Sequence, residues 1–209
     1  MSADEGLVAR ALGELHRGGG ALLIDLEFTC WEDSVRTGWA DPAHPAEIIE
    51  IGLAAFRVAT RAVHGSFTTL VRPRVNPVLS EYCCELLHIP QREIDAADEL
   101  PAALAKVAAW LASLAPAGLV SCGWGPLDRK VLASNTRMLG VADPLAGRPH
   151  IDLGAVMTEL YRHPTPITRD DLRDLERLPP NPRRHRALDD ALDLLHFLPL
   201  LLDGAPPTR

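Results

Sequence analysis

The sequence predicts an α/β domain built around a mixed sheet. Three observations carry this: strand-like apolar runs come first, helical stripes follow, and a further buried strand is interleaved among the helices. With 209 residues, 47% of them hydrophobic and 23% charged, the chain has the make-up of one globular domain with a sizeable core.

Residues 5–17 read as a short helix, and Gly18-Gly19-Gly20 as a hinge into the first strand. Residues 21–28 are a short aliphatic run of the kind that forms a buried strand. Residues 47–56 and 66–72, rich in Ile, Val, Phe and Thr, are two further strands adjacent to the first. Between them, residues 31–45 are polar with two prolines and read as a long loop beside the end of the first strand. Leu100, Leu104, Val107, Leu111 and Leu114 mark one face of a helix. Residues 118–122 read as a buried strand, and Gly125-Pro126 opens another helix. Thr168-Arg-Asp-Asp171 has the spacing of a capping box, with Asp replacing the usual Glu or Gln. Proline-rich loops at 163–166 and 179–182 separate the last elements. The chain therefore divides into an N-terminal helix and hinge (1–20), one domain (21–203) and a flexible tail (204–209).

Composition narrows the function classes. A net charge of −7 argues against a protein that coats nucleic acid by bulk electrostatics, yet leaves room for an enzyme taking one chain end at a time. A local basic cluster stands at Arg183, Arg184 and Arg186. Cys30, Cys83, Cys84 and Cys122 lack Cys-x-x-Cys spacing and read as reduced thiols, not a zinc site or a disulfide framework. No apolar run approaches a membrane span, and Met1-Ser-Ala-Asp-Glu5 lacks a basic n-region. The expectation is a cytoplasmic protein without a membrane role.

The chemistry starts with Asp25 and Glu27. Strand residues i and i+2 share a face, so both acids project together while Leu26 points the other way. Two like charges on a buried strand are costly unless a cation neutralises them, and oxygen ligands suit Mg²⁺ or Mn²⁺. Asp-x-Glu taken alone fits a solvated strand end better, and it is the rest of the chain that overturns that reading. Asp128 sits in the first turn of a helix, where the helix dipole favours an acid and where it also reaches a neighbouring strand end. In His185-Arg-Ala-Leu-Asp-Asp190, helical phase separates the two aspartates. Asp189 shares a stripe with Asp193 and His196, predicted to face solvent; Asp190 shares one with Leu194, Phe197 and Leu201, predicted to face inward and to need a partner. His185, five residues before Asp190, is expected in the loop preceding the helix as a general base.

Asp-x-Glu on a first strand, an Asp at a later helix start, and His followed five residues on by Asp resemble the DEDDh group of DnaQ-like 3′→5′ exonucleases. Asp25-Leu-Glu-Phe-Thr-Cys-Trp31 resembles the first motif of the histone-mRNA-exonuclease-like and bacterial sporulation-inhibitor-type branch. Leu70-Val-Arg-Pro73, Leu79-Ser-Glu-Tyr-Cys83 and Leu86-Leu-His-Ile89 are similar to the stretch that cradles the terminal nucleotide there. The resemblance covers about residues 22–202. It implies an RNase H-like exonuclease fold, with a central mixed five-stranded sheet flanked by helices.

The resemblance also implies a reaction. Asp25, Glu27, Asp128 and Asp190 would hold two Mg²⁺ or Mn²⁺ ions, and His185 would take the proton from the attacking water. The substrate would be the 3′ end of single-stranded nucleic acid, RNA favoured over DNA, releasing nucleoside 5′-monophosphates. Phe28, Thr29, Leu87 and His88 would cradle that end, with Trp31 and Tyr82 as stacking partners; each aromatic reads equally well as a core residue of its loop. The chain departs from the branch at two places. Leu127 stands where a Trp usually precedes the second-motif Asp, with Trp124 nearby, and Leu87-His88 replaces a Thr-Gly. Two alternatives remain open: a metal-dependent hydrolase of dinucleotides or small phosphoesters, and a catalytically silent nucleic-acid-binding module.

Overall fold

The computed structural model describes residues 6–114 and 118–204. The elements run α1 (Leu7–Gly18), β1 (Gly20–Phe28), α2 (Ser34–Thr37), β2 (Ile48–Arg57), β3 (Ala62–Arg72), α3 (Glu81–Leu87), α4 (Gln91–Asp95), β4 (Asp98–Glu99), α5 (Leu100–Ser113), β5 (Val120–Gly123), α6 (Leu127–Leu139), β6 (His150–Asp152), α7 (Leu153–Leu160), α8 (Arg169–Glu176), α9 (Ala187–Asp193) and α10 (Leu198–Asp203), with a 3₁₀ turn at Leu194–His196 between the last two. Among the described residues the strands form one sheet in the order β4-β3-β2-β1-β5-β6. β1–β2 and β2–β3 are antiparallel, while β1–β5, β5–β6 and β3–β4 are parallel, so the sheet is mixed as expected. It has six strands where five were expected. The difference includes β4, two residues paired with Val71 and Arg72, too short to carry any alternation in sequence.

Strand alternation sorts the core. Ala21 and Leu23 of β1 face a layer holding Leu15 of α1, Met157 of α7, Leu172 of α8, and Leu194, Phe197 and Leu201 near the C-terminus. Leu22, Ile24 and Leu26 face the other layer, against Leu104, Val107 and Leu111 of α5 and Val131 and Leu132 of α6. Continuing the alternation, Asp25 and Glu27 fall on the α8–α9 side. α9 comes unusually close there. Gly52 of β2, paired with Asp25, meets it at backbone distance: a Cβ at Gly52 would lie 2.1 Å from the Ala187 carbonyl carbon. Any side chain at Gly52 would push α9 off the sheet.

Several expectations are refined. The first helix ends at Gly18, and Gly19 takes the left-handed conformation (φ 71°) that turns the chain into β1. The loop at 31–45 contains the one-turn α2. The predicted capping box is present at the start of α8: the Thr168 hydroxyl accepts from the Asp171 N–H, and the Asp171 carboxylate accepts from the Thr168 N–H. The helical stripe read from Asp190 through Leu201 is interrupted, since α9 stops at Asp193 and Pro199 sits in the first turn of a separate α10. The four cysteines are free, as expected. Of the predicted tail, residues 205–209 lie outside the described residues, as do 1–5 at the start. Among the described residues, no helix is long and apolar enough to cross a membrane.

Candidate active site

Five side chains named from sequence converge on one cleft of about 690 Å³. Asp25, Glu27, Asp128, His185 and Asp190 all line it. Each arrives by a different local rule. Asp25 and Glu27 come from the pleat of β1. Asp128 comes from the first turn of α6, where its Oδ1 accepts from the Leu26 N–H at 3.1 Å and ties the helix start to the strand. Asp190 comes from the buried face of α9, and Leu194, Phe197 and Leu201, beyond the end of that helix, are buried as well.

His185 lies in the loop before α9, two residues ahead of the first helical residue, with a left-handed backbone (φ 63°). Its N–H donates to Asp190 Oδ2 at 2.7 Å, which folds the turn back onto the helix that follows. One ligand atom each from Glu27, His185 and Asp190 lies within 4.8 Å of the others. Asp189, as the helical phase predicts, points away, pairing with the exposed Arg183 at 2.8 Å. Its supposed companion on that stripe is a correction. Asp193 is buried and pairs with Arg173 at 2.6 Å, because α8 packs over that side of α9; only His196 of the stripe's other members is exposed.

The electrostatics are those of an acid cluster short of cations. Burial raises Asp25 well above the ordinary carboxylate range, reinforced by the charge of Asp128 and opposed by Arg169. Glu27 is pushed up to about 10 by burial and then by Asp25, Asp190, Glu50 and Asp128. Asp128 is raised to about 6 by burial, despite the opposing bond from Leu26. Burial lowers His185 below its usual value, so its imidazole is neutral at neutral pH; Asp190 opposes this and Arg184, Arg169 and His88 reinforce it. Four carboxylates converge here, three of them (Asp25, Glu27 and Asp128) held above their usual range, and such a set fits hard divalent cations bound through oxygen.

Three residues that sequence reasoning missed complete the site. Arg169, the first residue of α8, donates to Asp25 at 3.0 Å and to Asp190 at 3.4 Å. Asn181 donates its side-chain amide to Asp190 Oδ1 at 2.8 Å. Glu50, buried on β2 opposite Glu27, accepts from Arg186 Nε (3.1 Å) and Nη2 (3.0 Å) and from the Ala187 N–H (3.2 Å), anchoring the start of α9. An acid inside the apolar run Ile48-Ile-Glu-Ile51 is the same signal that marked Asp25, and it was legible.

The six cradle residues do not line this cleft. Leu87 is 1% exposed and packs in a small core with Cys30, Ile49 and Cys83, so its side chain is unavailable to a nucleotide. Thr29 is also buried, its hydroxyl donating to the Pro45 carbonyl and accepting from the Glu47 N–H. Phe28 packs edge-on against Trp39, Trp31 stacks on His44 with ring centroids 4.1 Å apart, and Tyr82 packs against the same small core as Leu87. His88 is exposed and near enough to His185 to affect its charge. Trp124 and Leu127 do line the cleft.

Comparison with known proteins agrees with this geometry. The exonuclease family model (RNase_T) matches residues 22–198. ERI1 exoribonuclease 2 of Danio rerio is 37% identical over 93 residues, covering 44% of this chain and 16% of the relative. 3′-5′ exoribonuclease 1 of Mus musculus is 29% identical over 191 residues, covering 87% of this chain and 53% of the relative. The chain thus spans about a sixth to a half of the length of these relatives. The solved nuclease domain of 3′hExo, a DEDDh family member bound to rAMP, superposes with a TM-score of 0.75 at 25% identity, covering 88% of this chain and 92% of that domain.

Proposed function

The chain belongs to the exonuclease family, and from that premise we propose that it is a divalent-metal-dependent 3′→5′ exonuclease, removing nucleoside 5′-monophosphates from single-stranded nucleic acid, with RNA favoured over DNA. The observation that carries this reading is the convergence of four acids and a neutral histidine on one cleft. Relatives named exoribonucleases, and a related domain bound to rAMP, support the preference for RNA.

In this reading Asp25, Glu27, Asp128 and Asp190 hold two Mg²⁺ or Mn²⁺ ions. When bound, the metals would make water a better nucleophile and offset the charge developing on the departing 3′-oxygen. The protein's own part is positional and acid–base. Asp190 is held by Asn181 and by the His185 N–H, so it presents a fixed carboxylate. The neutral His185 ring accepts the proton of the attacking water as the new P–O bond forms and the P–O3′ bond breaks, with the 3′-oxygen taking up a proton from solvent as it leaves. Glu50 acts through α9, fixing where His185 and Asp190 stand. The cradle residues Phe28, Thr29, Trp31, Tyr82, Leu87 and His88 shape the neighbouring wall, with contact to the terminal nucleotide falling to His88 and to the backbone.

The test is a degradation ladder on 5′-labelled single-stranded RNA and matched DNA with Mg²⁺ or Mn²⁺. The expected result is stepwise shortening to 5′-monophosphates, faster on RNA, absent with chelator and blocked by a 3′-phosphate. Full activity in chelator, or rapid cleavage of the blocked oligomer, rejects the reading. Cleavage confined to dinucleotides would favour a small-phosphoester hydrolase.

A further inference from the structure

Resting on that reading of the acids as metal ligands, we propose that Arg169 is the resident counter-cation of the cleft, and that metal binds by exchange, expelling its guanidinium from Asp25 and Asp190.

The geometry is that of a bridge. Nη2 of Arg169 donates to Asp25 Oδ1 at 3.0 Å, and Nη1 to Asp190 Oδ1 at 3.4 Å, so one planar group spans two carboxylates from different elements, 165 residues apart. These are two of the acids that a metal would need. The side chain is only 20% exposed, and its partners 10% and 12%, so solvent screens the pairing little. Burial disfavours a charged guanidinium, but Asp25, Asp190 and Asp128 outweigh it and hold the charge more firmly. Arginine cannot shed its proton to leave, so pH does not open the site; another cation must displace it.

The fold also makes the placement specific. The capping box of Thr168 and Asp171 fixes the first turn of α8, and Arg169 is its first residue. The neighbouring basic residues are committed elsewhere: Arg173 to Asp193, Arg184 to Asp170, Arg183 to Asp189 and Arg186 to Glu50. A departing guanidinium has a nearby resting surface, since its carbon already lies 5.9 Å from the centre of the Trp124 ring on the cleft wall.

Exchange has a signature opposite to that of a merely structural ion pair. If the arginine-engaged state dominates the metal-free protein, the metal's apparent affinity is reduced by the small fraction of open sites. Removing the arginine removes that penalty. Arg169→Gln, which keeps a polar end on a shorter side chain without the charge, is expected to bind Mn²⁺ about tenfold or more tightly by calorimetry if the open fraction is about a tenth or less. The same variant is expected to melt at a lower temperature in chelator and to regain stability with Mn²⁺. Arg169→Lys, retaining the charge, is expected near wild type in affinity.

A second measurement avoids the charge-neutral variant. The side-chain Nε–H resonance of Arg169, assigned by its absence in Arg169→Lys, is expected to shift when Mg²⁺ saturates the wild-type protein. Unchanged or weaker Mn²⁺ binding by folded Arg169→Gln, or an unmoved Arg169 resonance under saturating Mg²⁺, overturns the exchange while leaving the metal site standing. Failure of both wild type and Arg169→Gln to bind either metal defeats the metal-site reading and the exchange with it. Binding by the variant but not by wild type would be exchange in its strongest form.

Discussion

The floor of the cleft and the adjoining cradle wall were read from equally short motifs, yet the structure treats them differently. On the floor, Asp25, Asp128 and Asp190 are 7–8% exposed, with raised affinity for protons at Asp25 and Asp128. The protein bears a folding cost there that positive charge relieves, in part from Arg169. On the wall, Thr29, Leu87, Trp31 and Phe28 have their bonding and packing needs met by Pro45, Glu47, a small core, His44 and Trp39. Buried like charge marks a site that awaits something; closed packing marks a scaffold. The distinction is invisible in a motif, since both kinds of residue are equally prominent in the string.

The contrast is broken or sharpened most strongly by the two adjacent aspartates. Asp190→Asn is expected to lower turnover by about 10³-fold or more, since metal chemistry supplies several kcal/mol and each 1.36 kcal/mol is tenfold. Asp189→Asn, which removes only an exposed pairing with Arg183, is expected to leave kcat nearly unchanged. Matched kinetic losses in the two variants would show that burial does not mark the working acid.

A smaller effect is expected at His185, on the rim. His185→Ala should reduce kcat by about 10²-fold or more with little change in KM, because proton transfer is felt in the transition state. A histidine base works only when neutral, and burial lowers His185 from its ordinary value near 6.5. The wild-type rate should therefore rise with pH and level off, with its midpoint below about 6.5. A pH–rate profile that keeps the same acid limb in His185→Ala would assign that limb to another group.

The wall provides the mildest kinetic test. Leu87→Ala is expected to cost about 2–5 kcal/mol of stability, measured by denaturant melting, as a deletion from a closed core. Trp31→Ala is expected to move KM by less than about threefold, well short of the roughly 1–3 kcal/mol of a stacked base, because His44 already covers its ring. A KM increase above about tenfold would show that the indole leaves His44 for a base and that the wall is a site after all.

Local periodicity made a large part of this molecule legible. The period of two along residues 21–28 puts Asp25 and Glu27 on one face, and the period of 3.6 after His185 turns Asp190 inward and Asp189 outward. The capping box at Thr168 and the apolar stripe of α5 could be read the same way, because each depends on residues within a turn or two of one another. Asp193 shows where this reasoning fails. Its helical phase suggested solvent, but α8 covers it, and no property of α9 alone says what packs against it. Arg169 reaches Asp25 across 144 positions and Asn181 reaches Asp190 from a loop, so neither leaves a local trace. Gly52 sets how closely α9 approaches β2, and Glu50 fixes where it begins, yet both lie in a strand distant in sequence from the helix they position. Thus the identity and facing of the reactive groups follow from short-range chain geometry. Their partners, their electrostatic state and the fate of the cradle side chains were decided only when distant surfaces packed, because burial and pairing are properties of a neighbourhood that a segment does not contain.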